Sequence, residues 1–271
     1  MPELPEVETT RRGIEPHVDH RVINDLIVRN RALRWPVPRR LSNIISGQRI
    51  QAVDRRGKYI LLRLETGTVI IHLGMSGSLR VCPPDTPVRK HDHVDFVLDN
   101  GLSLRLHDPR RFGAVLWTDK PPERHKLLSS LGPEPLQESF SAAYLHERTR
   151  KRSASIKSII MNSHVVVGVG NIYACESLFL AGINPKRRAG TLSMARCEKL
   201  AASIKQVLAE SITQGGTTLR DYIRENGQPG YFALKLRVYG KAGEPCPECG
   251  KPIRRITQQQ RSTFYCTHCQ R

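Results

Sequence analysis

The sequence predicts an α+β protein of two domains. An N-terminal antiparallel β-sandwich or barrel with flanking helices precedes a helical C-terminal region that ends in a four-cysteine zinc finger. Three observations carry this. Between Val22 and Thr118 the apolar residues recur with period two in short runs separated by turn signals, the mark of antiparallel sheets. Beyond residue 150 the period becomes that of amphipathic helices. Near the C-terminus two C-x2-C pairs, Cys246/Cys249 and Cys266/Cys269, stand 16 residues apart with β-forming residues between them.

In chain order, Pro5 suits the first turn of a helix, and Val7, Ile14 and Val18 give that helix one apolar face. Strands are expected at Val22–Val28, Arg49–Asp54, Tyr59–Leu64, Val69–Leu73, Ser78–Cys82, His93–Leu98, Ser103–Leu106 and Ala114–Trp117. Glu65-Thr66-Gly67, Pro83-Pro84-Asp85 and the hairpin signal Asn100-Gly101 punctuate them. The run Leu131–Leu136, with two prolines and a glycine, breaks both periods and opens a linker over 132–150. Helices follow at Ile156–Met161, Ile172–Ala181 and Ser193–Thr213, the last with Leu200, Ile204, Val207 and Leu208 on one face. Residues 217–229 read as a polar loop. The domains are therefore 1–131, a linker 132–150, a helical domain 151–236 and a zinc finger 237–271.

The 271 residues contain 43 Lys and Arg against 25 Asp and Glu, a net charge of +18. Residues 1–131 carry 22 basic and 15 acidic side chains and residues 132–271 carry 21 and 10, so the excess is spread over both halves and is not a tail. A folded basic chain of this kind fits a phosphate-backbone partner. No run approaches the roughly 20 apolar residues of a membrane span, and no basic amphipathic helix with an aromatic face suggests membrane binding. Charged residues crowd the first dozen positions, which excludes a signal peptide and leaves a soluble, cytoplasmic, monomeric protein as the expectation. Seven cysteines in so long a chain do not form a disulfide framework: Cys82, Cys175 and Cys197 read as small buried hydrophobes.

Several stretches carry chemistry. Removal of Met1 would make Pro2 the terminus, with a secondary amine able to attack an electrophilic carbon and close to an iminium. Glu3 and Glu6 stand beside it as proton carriers. The amine must be neutral to attack. An α-amino group titrates at about pH 8; neighbouring carboxylates raise that, and desolvation or a cation such as Lys58 lowers it. The four cysteines fill a tetrahedral site and leave no open position, so one structural Zn2+ is expected. Between them, Arg254, Arg255 and Arg261 suit a basic hairpin whose tip holds Arg261 toward phosphate. Asp108–Gly113 is a turn with Arg110, Arg111 and an exposed Phe112, and Leu73–Gly77 offers a second apolar tip with Met75; such side chains can fill the place of an extruded base. Gly168-Val169-Gly170-Asn171 has Tyr173 where a dinucleotide loop needs its third glycine. It reads instead as a tight turn at a helix N-terminus, with Asn171 as phosphate ligand or N-cap. His91-Asp92-His93 has no third metal ligand in view, which favours a phosphate contact or a loop role.

Met1–Thr9, His72–Gly77, Asp108–Gly113, Gly168–Tyr173 and the four-cysteine C-terminus together resemble the bacterial formamidopyrimidine-DNA glycosylase family, and the resemblance spans the chain. Leu4 separates it from the related endonuclease VIII branch, which usually has glycine there. The resemblance implies a β-sandwich, a helix–two-turns–helix domain and a zinc finger that bind double-stranded DNA. It implies excision of oxidised purines such as 8-oxoguanine and formamidopyrimidines, then strand cleavage by β,δ-elimination, with abasic sites also as substrate. By position it makes Pro2 the nucleophile, Glu3 the acid, and Lys58 and Arg261 the proton donors for the two eliminations. Met75, Arg110 and Phe112 resemble the side chains that occupy the vacated stack, and His91, Arg110, Lys157 and Asn171 resemble DNA ligands. Residues 217–231 resemble the loop that closes over the damaged base. Ser153 stands where relatives often have lysine, so the phosphate contact expected there either moves to Arg152 or is lost. The charge and cysteine pairs alone would equally suit a zinc-ribbon DNA-binding protein without activity.

Overall fold

The computed structural model describes residues 2–215 and 236–271. They divide into two compact units, one running to Ser130 and one formed by Leu131–Gln214 with the residues from Leu236 on. The loop expected at 217–231 lies outside the described residues.

In the first unit, α1 (Leu4–Val18) precedes β1 (Ile23–Val28), α2 (Leu41–Ile45) and strands β2 (Ile50–Arg56), β3 (Tyr59–Leu64), β4 (Thr68–His72), β5 (Ser78–Cys82), β6 (Asp92–Leu98), β7 (Ser103–His107) and β8 (Ala114–Thr118). They form two four-stranded antiparallel sheets, ordered β1-β6-β7-β5 and β2-β3-β4-β8. Two separate sheets make this a sandwich, and the barrel alternative falls away. Alternation fills its interior: Ile60 and Leu62 from β3, Val69 and Ile71 from β4, Val94 and Phe96 from β6, and Leu104 and Leu106 from β7 join Val7, Ile14 and Val18 of α1 in one core. All eight strands lie within two residues of their expected limits. The five-residue α2 is too short to show a period, but Leu41 and Ile45 reach the same core.

Between its core-facing neighbours Leu104 and Leu106, Arg105 is completely buried. It bonds Asp95 through Nε at 2.9 Å and donates to the Thr86 carbonyl at 2.9 Å, so the Pro83–Thr86 loop covers a charge that would otherwise face water. Arg29 bonds both oxygens of Asp95 from the other side, at 2.9 and 2.7 Å. Burial pushes the Asp95 carboxyl up, but the two guanidiniums outweigh it and hold its pKa below the usual value.

In the second unit, α3 (Ala142–Thr149), α4 (Ile156–Ile160), α5 (Asn171–Leu180) and α6 (Met194–Thr213) precede the hairpin β9 (Arg254–Gln258) and β10 (Arg261–Tyr265). Most of the second half of the expected linker 132–150 is the helix α3. Ser141 caps that helix by accepting the Tyr144 N–H at 3.1 Å, and buried Leu145 and Thr149 face the packing against α6. Two turns of helix gave too short a period to read in sequence. Helix α5 is buried on nearly every side. Its Cys175 and Phe179 share an apolar cluster with Val238, Ile253 and Phe264, so the zinc hairpin packs on α5.

Asp95→Ala strands Arg105 and Arg29 without their acceptor and should cost about 3–5 kcal/mol in urea unfolding. Asp54→Ala removes only a half-exposed partner of Arg63 and should cost under about 1 kcal/mol. Equal losses would mean that the buried network does not stabilise this sheet.

Candidate active site

In the first unit the N-terminal stretch is held. Pro2 is buried, and Glu3 and Glu6 are each 2% exposed. The Glu6 carboxylate accepts the backbone N–H of Glu3 at 2.8 Å, a capping-box contact that fixes where the chain enters α1. Leu4 and Val7 anchor the same turn in the apolar interior. One turn on, Glu8 accepts from Arg11, Arg12 and Arg55, tying the helix to β2. Desolvation raises the Glu8 pKa, but the three guanidiniums win and the net shift is downward. Helix α1 also touches β3, and Lys58 sits half-buried in the two-residue turn joining β2 to β3. Gly57, at φ +57°, supplies the left-handed conformation that turn requires.

The turns bearing Met75 and Phe112 form one body. A Cβ on Gly74 would lie 2.5 Å from both the Gly113 nitrogen and the Phe112 carbonyl carbon, so only glycine lets the two backbones meet. The second turn is braced by Asp108, fully buried, whose carboxylate accepts the Gly113 N–H at 2.7 Å. His93 is buried and bonds the Asp108 carbonyl at 2.9 Å. Phe112 stays 41% exposed with the Arg110 guanidinium 5.1 Å from its ring centroid, a cation–π arrangement. Met75 is half-buried. His91 lies edge-on to His93 and His107, and Asp92 turns inward to His107, Arg80 and the Arg89 N–H. The His91-Asp92-His93 motif thus supports the loop, with no third metal ligand beside it among the described residues.

His72 ends β4 beside these turns. Its ring stands 4.8 Å from that of Tyr59, and its Nδ1 accepts the Gly74 N–H at 3.0 Å. Burial, then the charges of Lys58 and Arg34, lower its pKa to about 4. The imidazole is therefore neutral at physiological pH and carries its proton on Nε2.

In the second unit, Lys157 is only 2% exposed. Its ammonium donates to Asn171 Oδ1 at 2.5 Å and to Thr263 Oγ1 at 2.6 Å. Asn171 in turn donates to the Ser262 carbonyl at 2.9 Å and to the Tyr239 hydroxyl at 3.4 Å. Two side chains expected at phosphate thus dock the hairpin onto α4 and the start of α5. Asn171 is not an N-cap: Gly170 holds that position and Asn171 is the first residue of the helix. Arg261 is exposed immediately after Gln259 and Gln260, whose φ of +47° and +59° are strained for residues with a Cβ. Arg152 is exposed on a backbone fixed by bonds to Thr149 and Gly190. Glu176, wholly buried in α5, accepts the N–H groups of Arg237, Val238 and Tyr239 at 2.8, 3.0 and 2.8 Å. A lone carboxylate in an otherwise apolar helix was a readable signal for such a clamp; Tyr239 and His72 offered none.

The four cysteine sulfurs lie within 4.8 Å of one another, with Cys246–Cys269 at 3.9 Å and Cys249–Cys266 at 3.5 Å. A tetrahedron with Zn–S bonds of about 2.3 Å has edges of about 3.8 Å, so the donor set fits one structural zinc.

Family models match three consecutive parts of the chain: the formamidopyrimidine-DNA glycosylase N-terminal domain over residues 1–115, its H2TH domain over 131–222, and the zinc finger found in FPG and IleRS over 243–271. The chain belongs to the formamidopyrimidine-DNA glycosylase family. It is 60% identical to the formamidopyrimidine-DNA glycosylase of Thioalkalivibrio sulfidiphilus over 271 residues, the whole of both chains. Among solved structures it resembles the Lactococcus lactis Fpg in complex with DNA containing an N7-benzyl-Fapy-dG lesion (TM-score 0.92, 33% identity, 99% of each chain covered). The same enzyme with DNA containing an abasic site matches with TM-score 0.91 at 33% identity, again over 99% of each chain.

Two outcomes are expected. Above pH 6.5 His72 is neutral whether the chain is folded or not; as pH falls below that, the unfolded chain takes up a proton the folded one refuses until about pH 4. Stability contributed by this group is thus lost on acidification. Between about pH 6.5 and 5, before the carboxylates titrate, the thermal midpoint of His72→Asn should fall less than that of wild type; parallel curves would remove His72 from the acid response. Metal analysis should find one zinc per chain, and Cys249→Ser should abolish it and expose the Phe264 cluster to hydrogen exchange. Unchanged exchange would show that the metal does not hold the hairpin.

Proposed function

We infer that the chain performs base-excision repair as a bifunctional DNA glycosylase and abasic-site lyase acting on oxidised purines in double-stranded DNA. The observation that carries this is the family match over the full length, joined to a buried Pro2-Glu3 pair fixed at the head of α1. The lesion cannot be reached inside the stack, so the nucleotide is extruded at a cost of a few kcal/mol. Met75, Arg110 and Phe112 fill the vacancy and offset that cost. Arg152, the hairpin arginines and His91 supply phosphate affinity, while Lys157 and Asn171 hold the phosphate-facing backbone in shape.

After removal of Met1, the neutral Pro2 amine attacks C1′. The electrons of the glycosidic bond leave with the base, which takes up the proton that the attacking amine sheds. Glu3 protonates the ring oxygen as C1′–O4′ opens, and the Pro2 nitrogen becomes an iminium. That charge makes the C2′ proton acidic. Its loss expels the 3′ phosphate, and a second elimination expels the 5′ phosphate, with Lys58 and Arg261 as the respective proton donors. Water then hydrolyses the imine and returns the amine. The Pro2 amine, Glu3, Lys58 and Arg261 carry the steps assigned to the protein, and the four cysteines leave the zinc no open position, so its role is structural. We further place the protein in the cytoplasm on chromosomal DNA as a monomer; no described helix is long and apolar enough to cross a membrane.

Borohydride should trap a covalent adduct between the protein and DNA containing 8-oxoguanine, with the adduct on Pro2 by peptide mass. Pro2→Gly should trap less, by about tenfold or more. Equal trapping, or retained Met1 in an active preparation, would eliminate the Pro2 mechanism. Salt-sensitive binding to damaged and undamaged DNA alike, with no strand scission, would instead indicate a binding protein without activity.

A further inference from the structure

We propose that His72 is a positioning residue for the base wedge: its Nδ1 holds the Gly74 turn and, through Gly74, the backbone of Phe112 and Gly113. The inference rests on the reading that Met75, Arg110 and Phe112 occupy the vacated stack.

The geometry makes His72 the point where the two turns are joined. Its side chain accepts the Gly74 N–H at 3.0 Å, across one intervening residue. Its own carbonyl oxygen would lie 2.8 Å from a Cβ on Gly113, so its backbone abuts the second turn as well. Gly74, at φ +65°, presses directly on the backbone of Phe112 and Gly113. On the second turn the Asp108 carboxylate holds the Gly113 N–H at 2.7 Å and the Gly113 carbonyl accepts from the Arg34 N–H at 3.1 Å; on the first, the Gly77 N–H goes to the Leu73 carbonyl at 2.9 Å. The Gly74 N–H is thus secured by a side chain, and only an acceptor at that place serves. A protonated imidazole has no free lone pair and could not accept. Lys58 and Arg34 are the cations acting on the ring, and both oppose its protonation. Tyr59 covers one side of the ring and limits its rotation. The lysine proposed as proton donor therefore also keeps the imidazole in the form that fixes the wedge turn. A wedge that moves by an ångström would lose contact with the gap it fills, and geometric losses of that size cost up to about a hundredfold in rate.

The test compares three substitutions. Asparagine places an acceptor where Nδ1 stands, glutamine places one nearer Nε2, and phenylalanine keeps the ring without an acceptor. Single-turnover excision of 8-oxoguanine from duplex DNA is measured beside strand cleavage at a preformed abasic site, where no base has to be extruded. His72→Phe and His72→Gln should slow excision about tenfold or more and leave abasic-site cleavage within about twofold of wild type; His72→Asn should stay within about threefold on both. Excision by His72→Asn as slow as by His72→Gln would overturn the proposal, as would wild-type excision by His72→Phe or a parallel loss at the abasic site. Abasic-site cleavage also reports folding in each variant. Met75→Ala separates the two levels of argument. If it excises at the wild-type rate, the wedge reading itself is wrong; if it is slow while all His72 variants match wild type, only the role of His72 falls.

Discussion

A chain terminus can serve chemistry only if it is held, and here a reciprocal capping box holds it: the Glu6 carboxylate accepts the Glu3 N–H and the Glu3 carboxylate accepts the Glu6 N–H. Free termini fray, and a fraying nucleophile would forfeit most of the advantage of a fixed attack geometry. The capping contact works because α1 itself cannot move. Val7, Ile14 and Val18 are buried in the sandwich core, and Glu8 binds Arg55 of β2 on the adjoining face. The sandwich in this sense is a mount for six residues. Its buried Arg105–Asp95–Arg29 network stiffens the sheet that carries β5, β6 and β7, from whose ends the Met75 and Phe112 turns depart.

Of the five described non-glycine residues with positive φ, three lie in the Phe112 turn and at the hairpin tip. Arg111 at φ +55° and Gln259 and Gln260 at the hairpin tip all adopt left-handed conformations that a side chain disfavours. Each stands next to a residue assigned to DNA: Arg110 and Phe112 in the first unit, Arg261 in the second. The surroundings enforce these conformations. Asp108 bonds across its turn to Gly113, and the two glutamines are confined between paired strands. Rigid presentation of an arginine or an aromatic ring reduces the entropy lost when it meets a ligand.

Two buried charges of the second unit, Glu176 and Lys157, are bonded to uncharged groups. Glu176 takes three backbone N–H donors from residues 237–239, and Lys157 takes the Asn171 carbonyl oxygen and a threonine hydroxyl. Ionic groups hydrogen-bonded this way tolerate burial because the partner dipoles replace water. Together with the zinc site they let a hairpin with a very small core of its own dock firmly on α5.

What the sequence determined by itself was whatever has a short-range signature. Period-two alternation marked the eight strands, and C-x2-C spacing marked the metal site. The helix inside the expected linker and the hydrogen-bond partners of Lys157, Asn171 and His72 came only with the tertiary structure. The reason is distance along the chain. Lys157 meets Thr263 across 106 residues and Glu176 meets Arg237 across 61, separations that no local pattern spans. His72 shows the same division. Its motif neighbours Gly74 and Met75 were legible as a turn, but the neutral imidazole acting as acceptor depends on Lys58, Arg34 and Tyr59, which only the packing of β3 against β4 and the folding of the long loop after β1 bring to it.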